Sequence, residues 1–403
     1  MKPEIRQRIE MIRRGEVPEG YKKKCGKVLP LTWDTSKMKE ICIINPLRPE
    51  VIPEKVVFLS MTDVSEDGKI LHQQKVDYQS VKQGFTPFQK GDVLVAKITP
   101  CFENGKGAHT ENLVTDVGFG STEFHVLRSK INSTYTFYHT VFENFRKKLE
   151  REMTGSAGQK RVQTASLANY SIAVPPAAEQ QKIAAILTTQ DKVIELKEKR
   201  LAEKLRQKKY LMQQLLTGKK RLPGFTFEVE ETNIKAISTY SVSTISQTTL
   251  DSYEGKRLYP VFNANSIGGY VDFYQNKCPY VSIIKDGAGI GRVRLCEAKS
   301  STIGTMGCIH ARKGISIIFL YYLLEQVDFG KYSNGSTIPH LYYKDYSCEK
   351  VRVPDLQEQT AIAQVLSTAD REISLLRQDI EKEKQKKKAL MQLLLTGIVR
   401  VNV

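Results

Sequence analysis

The sequence predicts an α+β fold: two mixed α/β domains separated by two long helices that pack as an antiparallel coiled coil, with pseudo-twofold character. Three observations predict it. A 44-residue stretch occurs twice at a constant offset of 179 with no gap. Each copy carries an apolar stripe at three- and four-residue spacing, the pattern of a helix with one sticky face. The segments left over, 1–178 and 219–357, are of similar size and read as short strands and helices.

The repeat sets Glu179–Leu222 against Glu358–Val401, and 19 of the 44 aligned positions are identical, far beyond coincidence. The identities include Glu179/Glu358, Gln180/Gln359 and Asp191/Asp370, and they close on a shared Leu-Leu-Thr-Gly at 215–218 and 394–397. In the first copy the stripe runs through Ile183, Leu187, Ile194, Leu201, Leu205, Met212 and Leu216; in the second, through Ile362, Leu366, Ile373, Ile380, Met391 and Leu394. Proline precedes each copy and Gly218 and Gly397 follow, which are helix start and stop signals. A single narrow stripe flanked by lysine-rich runs cannot bury itself, so the two copies are expected to pack on each other as spacer helices over 179–218 and 358–397. Asp191 and Asp370 interrupt the stripes at matching positions. A polar group in a seam is costly unless paired, so each is either a register or partner-docking device or a carboxylate swung out to solvent.

Within the flanking segments, alternating runs at 92–98 and 280–284 read as strands, and 137–150 and 315–327 as helical patches. Gly/Asn-bearing loops such as 102–107 separate them. Apart from a Gly-Ser loop about 20 residues before each Val-Pro, the two segments hardly resemble one another. Residues 398–403 are a short tail.

Lys+Arg outnumber Asp+Glu 61 to 44, a formal +17 that favours a polyanionic partner. Seven scattered cysteines without a Cys-x-x-Cys pair read as reduced thiols, and no zinc spacing is visible. The charged N-terminus lacks a signal-peptide core, and the longest apolar run, 315–324, is too short to cross a bilayer. The expectation is a soluble, cytoplasmic chain with no membrane partner.

The order Val-Pro, Glu-Gln, helix, Leu-Leu-Thr-Gly, repeated once, resembles the conserved regions of the specificity subunits of type I restriction–modification enzymes. Residues 84–108 and 118–128 resemble one type of target recognition domain, and 259–274, 283–294 and 334–341 another. The resemblance spans nearly the whole chain. It implies a non-catalytic subunit that reads double-stranded DNA as a bipartite, asymmetric target, one half per domain. It also implies two methyltransferase (modification) subunits docked on the helical repeats, with motor-nuclease (restriction) subunits beyond. S-adenosylmethionine, ATP and magnesium would then sit on those partners, with no cofactor and no metal on this chain.

The enzymatic alternatives find little purchase in the residues. Gly287–Gly291 follows a strand, but what comes next alternates like another strand, so it reads as a hairpin and not as a cofactor loop opening a helix. Neither an Asp/Asn-Pro-Pro-Tyr motif nor a phosphate loop is present. A stand-alone methyltransferase or nuclease with unfamiliar motifs, or a coiled-coil scaffold without a DNA role, remains the competing reading. Polar loops on a strand scaffold are the natural DNA-contacting elements. The candidates are Lys97, Asn104, Lys106, Gln159, Lys160 and Arg161 in the first domain, and Lys285, Arg292, Arg294, Ser336, Thr337 and His340 in the second.

Overall fold

The structure, a computed structural model, describes residues 3–156, 158–226, 228–287, 289–335 and 339–402. Two compact units make up the chain, Met1–Leu196 with Ile380–Val403, and Lys197–Asp379. Each unit contains part of both long helices, Ala177–Leu215 and Leu356–Leu395. The helices end two or three residues before Gly218 and Gly397, which take φ of 68° and 73°, a left-handed conformation that side chains resist. At the start of the second helix, the Asp355 carboxylate accepts from the backbone N–H groups of Gln357 and Glu358.

The stripes meet each other and the domains at once. In the first unit, Ile183 and Leu187 share a core with Met391, Leu394 and Leu395 and with Trp33, Tyr135 and Phe145 of the domain. In the second, Ile362 and Leu366 share one with Met212, Leu215 and Leu216 and with Phe319 and Leu323. Ile194, Ile373 and Ile380 are buried too, and Leu201 is half-buried. Ion pairs Lys197–Asp379 (2.7 Å), Lys204–Glu372 (2.6 Å) and Lys208–Asp370 (2.8 Å) descend one helix as they climb the other, so the helices run antiparallel. Leu205 departs from the expected stripe: it is 40% exposed, and beside it the Lys204–Glu372 pair carries the contact.

The two domains share one topology, which their sequences conceal. The first has an antiparallel sheet ordered Cys42–Ile44, Phe124–Ser129, Val93–Ala96, Gly107–His109. The second has Ser238–Val242, Met306–Ala311, Tyr280–Ile284, Val293–Cys296 in the same order and sense. A second sheet also corresponds. Lys55–Leu59 lies antiparallel to Gln74–Asp77 and parallel to Val117–Gly120, as Tyr259–Phe262 lies to Ile267–Val271 and Ser301–Thr302. The first domain adds Thr86–Gln89 at the edge. A two-stranded ribbon leads into each long helix, Asp34–Lys37 with Ser171–Val174 and Glu230–Asn233 with Lys350–Val353. The glycine-rich run at 287–291 joins antiparallel strands, as the alternation after it predicts. The helical patch read at 137–150 is two helices, Ser133–Val141 and Glu143–Arg151, broken at an extended Phe142.

The repeated identities account for how each domain is seated on the helices. Gln180 donates to the Pro175 carbonyl (2.8 Å) and accepts from the backbone N–H of Asn132, the N-cap of helix Ser133–Val141. Gln359 does the same with Pro354 (2.8 Å) and with Ser316, the N-cap of helix Ile317–Gln326. One turn into each domain helix stands a tyrosine. Tyr138 donates to Asp191 (2.8 Å), whose other oxygen takes Lys387 (2.6 Å), and the ammonium lies over the Tyr138 ring. Tyr322, Asp370 and Lys208 repeat this arrangement at 2.8 Å and 2.8 Å, again with the ammonium over the ring. Both aspartates are therefore paired and point inward. Each ties a domain helix to one long helix and to its antiparallel partner.

A buried carboxylate completes each seat. Glu179 accepts two bonds from Arg400 (2.6 and 2.8 Å) and one from the Trp33 indole (2.9 Å). Glu358 accepts from Arg221, with Nε–Oε1 at 2.7 Å and a second bond from Nη2. All four members fall at the repeat offset.

Candidate nucleic-acid interface

In each domain the chain leaves the central strand of the first sheet into a polar loop, which is braced by a second loop arriving from the helical side. In the first domain the Thr99 N–H donates to the Lys160 carbonyl (3.0 Å), the Val162 N–H donates to the Lys97 carbonyl (2.9 Å), and Ile98 bridges Arg161. The second domain repeats the junction: Gly287 N–H to the Pro339 carbonyl (3.0 Å), Leu341 N–H to the Lys285 carbonyl (2.8 Å), and Asp286 bridging His340. Lys97 and Lys285 also receive matching support, their N–H groups donating to Glu123 and Thr305. Lys106 and Arg292 correspond in turn, since their carbonyls accept from the last residue of the strand, Ala96 and Ile284.

The structure thus gathers most of the candidate residues at one equivalent place in each domain. It also shows what several of them do within the fold. Lys97 Nζ donates to the Thr122 carbonyl (2.8 Å), and partial burial lowers its pKa. Arg161 is held by Glu123 (2.9 Å), a bond that raises the guanidinium pKa. Lys106 Nζ caps the Met61 carbonyl (2.8 Å). Asn104, Gln159 and Lys160 are exposed, and no bond from their side chains is formed among the described residues. In the second domain Lys285 pairs with Asp286, whose other oxygen meets His340 Nδ1 at 2.8 Å. Burial opposes the Asp286 charge, but hydrogen bonds from Lys285 and His340 outweigh it and lower the pKa. Arg294 reaches back to the Asn265 carbonyl (2.7 Å) over the Phe262 ring, on the strand and away from the loop, and Arg292 is exposed. Ser336 and Thr337 lie outside the described residues.

Sequence reasoning missed the group that shapes the first of these loops. Arg146, 8% exposed, donates to the carbonyls of Thr140 (2.7 Å), Phe102 (3.1 Å) and Gly105 (3.1 Å) and approaches that of Lys106. Burial without a carboxylate brings its pKa down to about 9. In the run Glu143–Arg151 it looks like Lys147 or Lys148; only its phase with buried Phe145 and Leu149 marks it as inward-facing. Buried His125 likewise bonds the Val162 carbonyl (2.9 Å) and braces the junction from beneath. Among the described residues, no group of three or more His, Cys, Asp or Glu is placed to hold a metal ion, and no helix is long and apolar enough to cross a membrane.

Residues 30–206 and 228–384 match the family described as the type I restriction modification DNA specificity domain, once over each α/β domain. The chain belongs to this family. Among its relatives is the type I restriction enzyme EcoAI specificity subunit of Escherichia coli, 35% identical over 188 residues, which are 44% of this chain and 32% of that one. The chain therefore spans about a third of that relative's length. The putative MjaX specificity subunit of Methanocaldococcus jannaschii is 24% identical over 95% of this chain and 97% of its own. The crystal structure of the type I restriction–modification S subunit from M. genitalium superposes with a TM-score of 0.59 at 16% identity, covering 90% of this chain and 96% of that one. At that identity the likeness is one of fold.

Proposed function

We propose that this specificity chain reads a bipartite, asymmetric sequence in double-stranded DNA, each α/β domain taking one half-site. The observation that carries the reading is the equivalent loop junction in two domains of one topology: same backbone, different side chains. Phosphate contacts fix register and carry no sequence, while base edges specify it, so a common frame with divergent loops suits two different half-sites. The net +17 supports a polyanionic partner. In this reading the chain performs no chemistry. The duplicated seats and helices would present two equivalent docking places for an adenine-methyltransferase subunit, with motor-nuclease subunits joining that core in the cytoplasm. S-adenosylmethionine, ATP and magnesium would be held by those subunits, and the target adenine flipped by the methyltransferase.

The test is methylome sequencing of the native host with and without this chain. One bipartite adenine-methylation motif should disappear on deletion. Exchange of residues 1–178 for another such domain should alter one half of the motif and leave the other intact. An unchanged methylome together with salt-insensitive DNA binding would favour the scaffold reading, because DNA binding by counterion release weakens steeply with salt.

A further inference from the structure

We propose that the tip Phe102–Lys106 is the base-reading element of the first domain and that Arg146 is its positioning residue; this deepens the DNA-specificity reading and rests on it. What both domains share cannot tell two half-sites apart. The junction is shared, down to its pairs of backbone hydrogen bonds. The tips beyond it are not: residues 98–106 number nine and residues 286–292 seven. They are also held by different chemistry.

The first tip is pinned at several points. Phe102 is fully buried in the core beside Phe145. Gly105 has φ of 86°, and a Cβ there would lie 2.5 Å from the Glu66 carbonyl oxygen, so only glycine fits. Lys106 ties to Met61, and the Arg146 fork draws the carbonyls of Phe102 and Gly105 onto one cation. Between these pins Asn104 stays exposed. A rigid loop with one free amide suits base-edge readout, since an Asn amide can donate and accept together, as adenine N7 and N6 require. In the second domain the tip closes on an apolar contact instead: a Cβ on Gly291 would lie 2.5 Å from Phe329 Cβ. Arg146 is too buried to touch DNA and acts through the tip.

The full-length chain is challenged with a randomised duplex library, and the bound duplexes are sequenced for wild type, Asn104→Ala and Arg146→Lys. Lysine keeps the cation but lacks the planar fork that spans several carbonyls. Both variants should relax base preference at one or more positions of a single half-site by roughly 5- to 150-fold, the range of one bidentate contact, with the other half-site unchanged. A merely structural Arg146 would weaken all duplexes alike and leave preferences intact, and that result overturns its positioning role. Should Arg146→Lys fail to fold by circular dichroism, Asn104→Ala decides, and unchanged preferences there overturn the tip assignment. Wild type selecting no motif would instead sink the underlying DNA reading.

Discussion

Removing the arginine from each clasp should destabilise the two units unequally. Glu358 is 1% exposed, and among the described residues no side chain but Arg221 bonds its carboxylate, so Arg221→Met leaves it without a partner. Breaking a buried ion pair from one side costs about 3–5 kcal/mol. The Arg221 side chain is 28% exposed, so water relieves part of the penalty and about 3 kcal/mol is expected. In Arg400→Met, Glu179 is as deeply buried but keeps the Trp33 indole at 2.9 Å. A hydrogen bond to a charged group is worth about 1.5–3 kcal/mol, so this variant should lose nearer 2 kcal/mol. Urea unfolding separates the cases, because Trp33 is the sole tryptophan and reports the first unit by fluorescence, while circular dichroism reports both. Arg221→Met combined with Glu358→Leu should recover most of the loss, since an apolar pair of similar volume often matches a buried ion pair. The reasoning is refuted if Arg221→Met lies within about 0.5 kcal/mol of wild type, a size typical of featureless surface sites. It also fails if Arg400→Met proves the more costly.

Acid should weaken the first unit before its carboxylates titrate. Burial lowers the pKa of His125 to about 4 and of His139 to about 3, below the ordinary 6.5, so between those values the unfolded chain binds protons that the folded one refuses. Stability is therefore retained above pH 6.5 and lost as pH falls, by about 2 kcal/mol for each of these two histidines at pH 5; a urea series from pH 7.5 to 5 should show the slope, to which His109, its pKa also lowered by burial, adds, and His139→Gln should flatten it by about 2 kcal/mol at pH 5. Asp191→Asn and Asp370→Asn keep a partner for the tyrosine but lose the lysine, and each should cost about 1–2 kcal/mol in chemical denaturation. The two should be additive, since the latches share no residue; strong non-additivity would mean the latches are coupled.

The long helices were legible because they are written twice and their apolar spacing has one simple solution. The same repetition flagged Asp191 and Asp370, but a one-dimensional pattern could not say that Tyr138 and Lys387, or Tyr322 and Lys208, would enclose them. The domains' common topology was hidden for a physical reason. Strands of two to six residues hold too few positions to fix a pairing order, and the central ones are buried throughout, a demand that many unrelated apolar runs meet. Most of the loop candidates fall together at one junction in each domain because Gly-bearing polar runs after a buried strand are visible by composition. Their individual roles were not, since Lys97, Lys106 and Arg161 spend their side chains on Thr122, Met61 and Glu123. Arg146 was invisible because burial, not residue type, makes it special.

The polar part of each domain's seat asks little of its occupant. Gln180 and Gln359 take hold of a main-chain N–H, which any helix start supplies, and Asp191 and Asp370 take a single tyrosine hydroxyl. A foreign domain would need a capped helix start, an aromatic hydroxyl further along that helix, and an apolar face to meet Ile183 and Leu187 or Ile362 and Leu366. Exposed loop residues such as Asn104 meet none of these requirements, so their side chains can change while the rods and sockets stay constant.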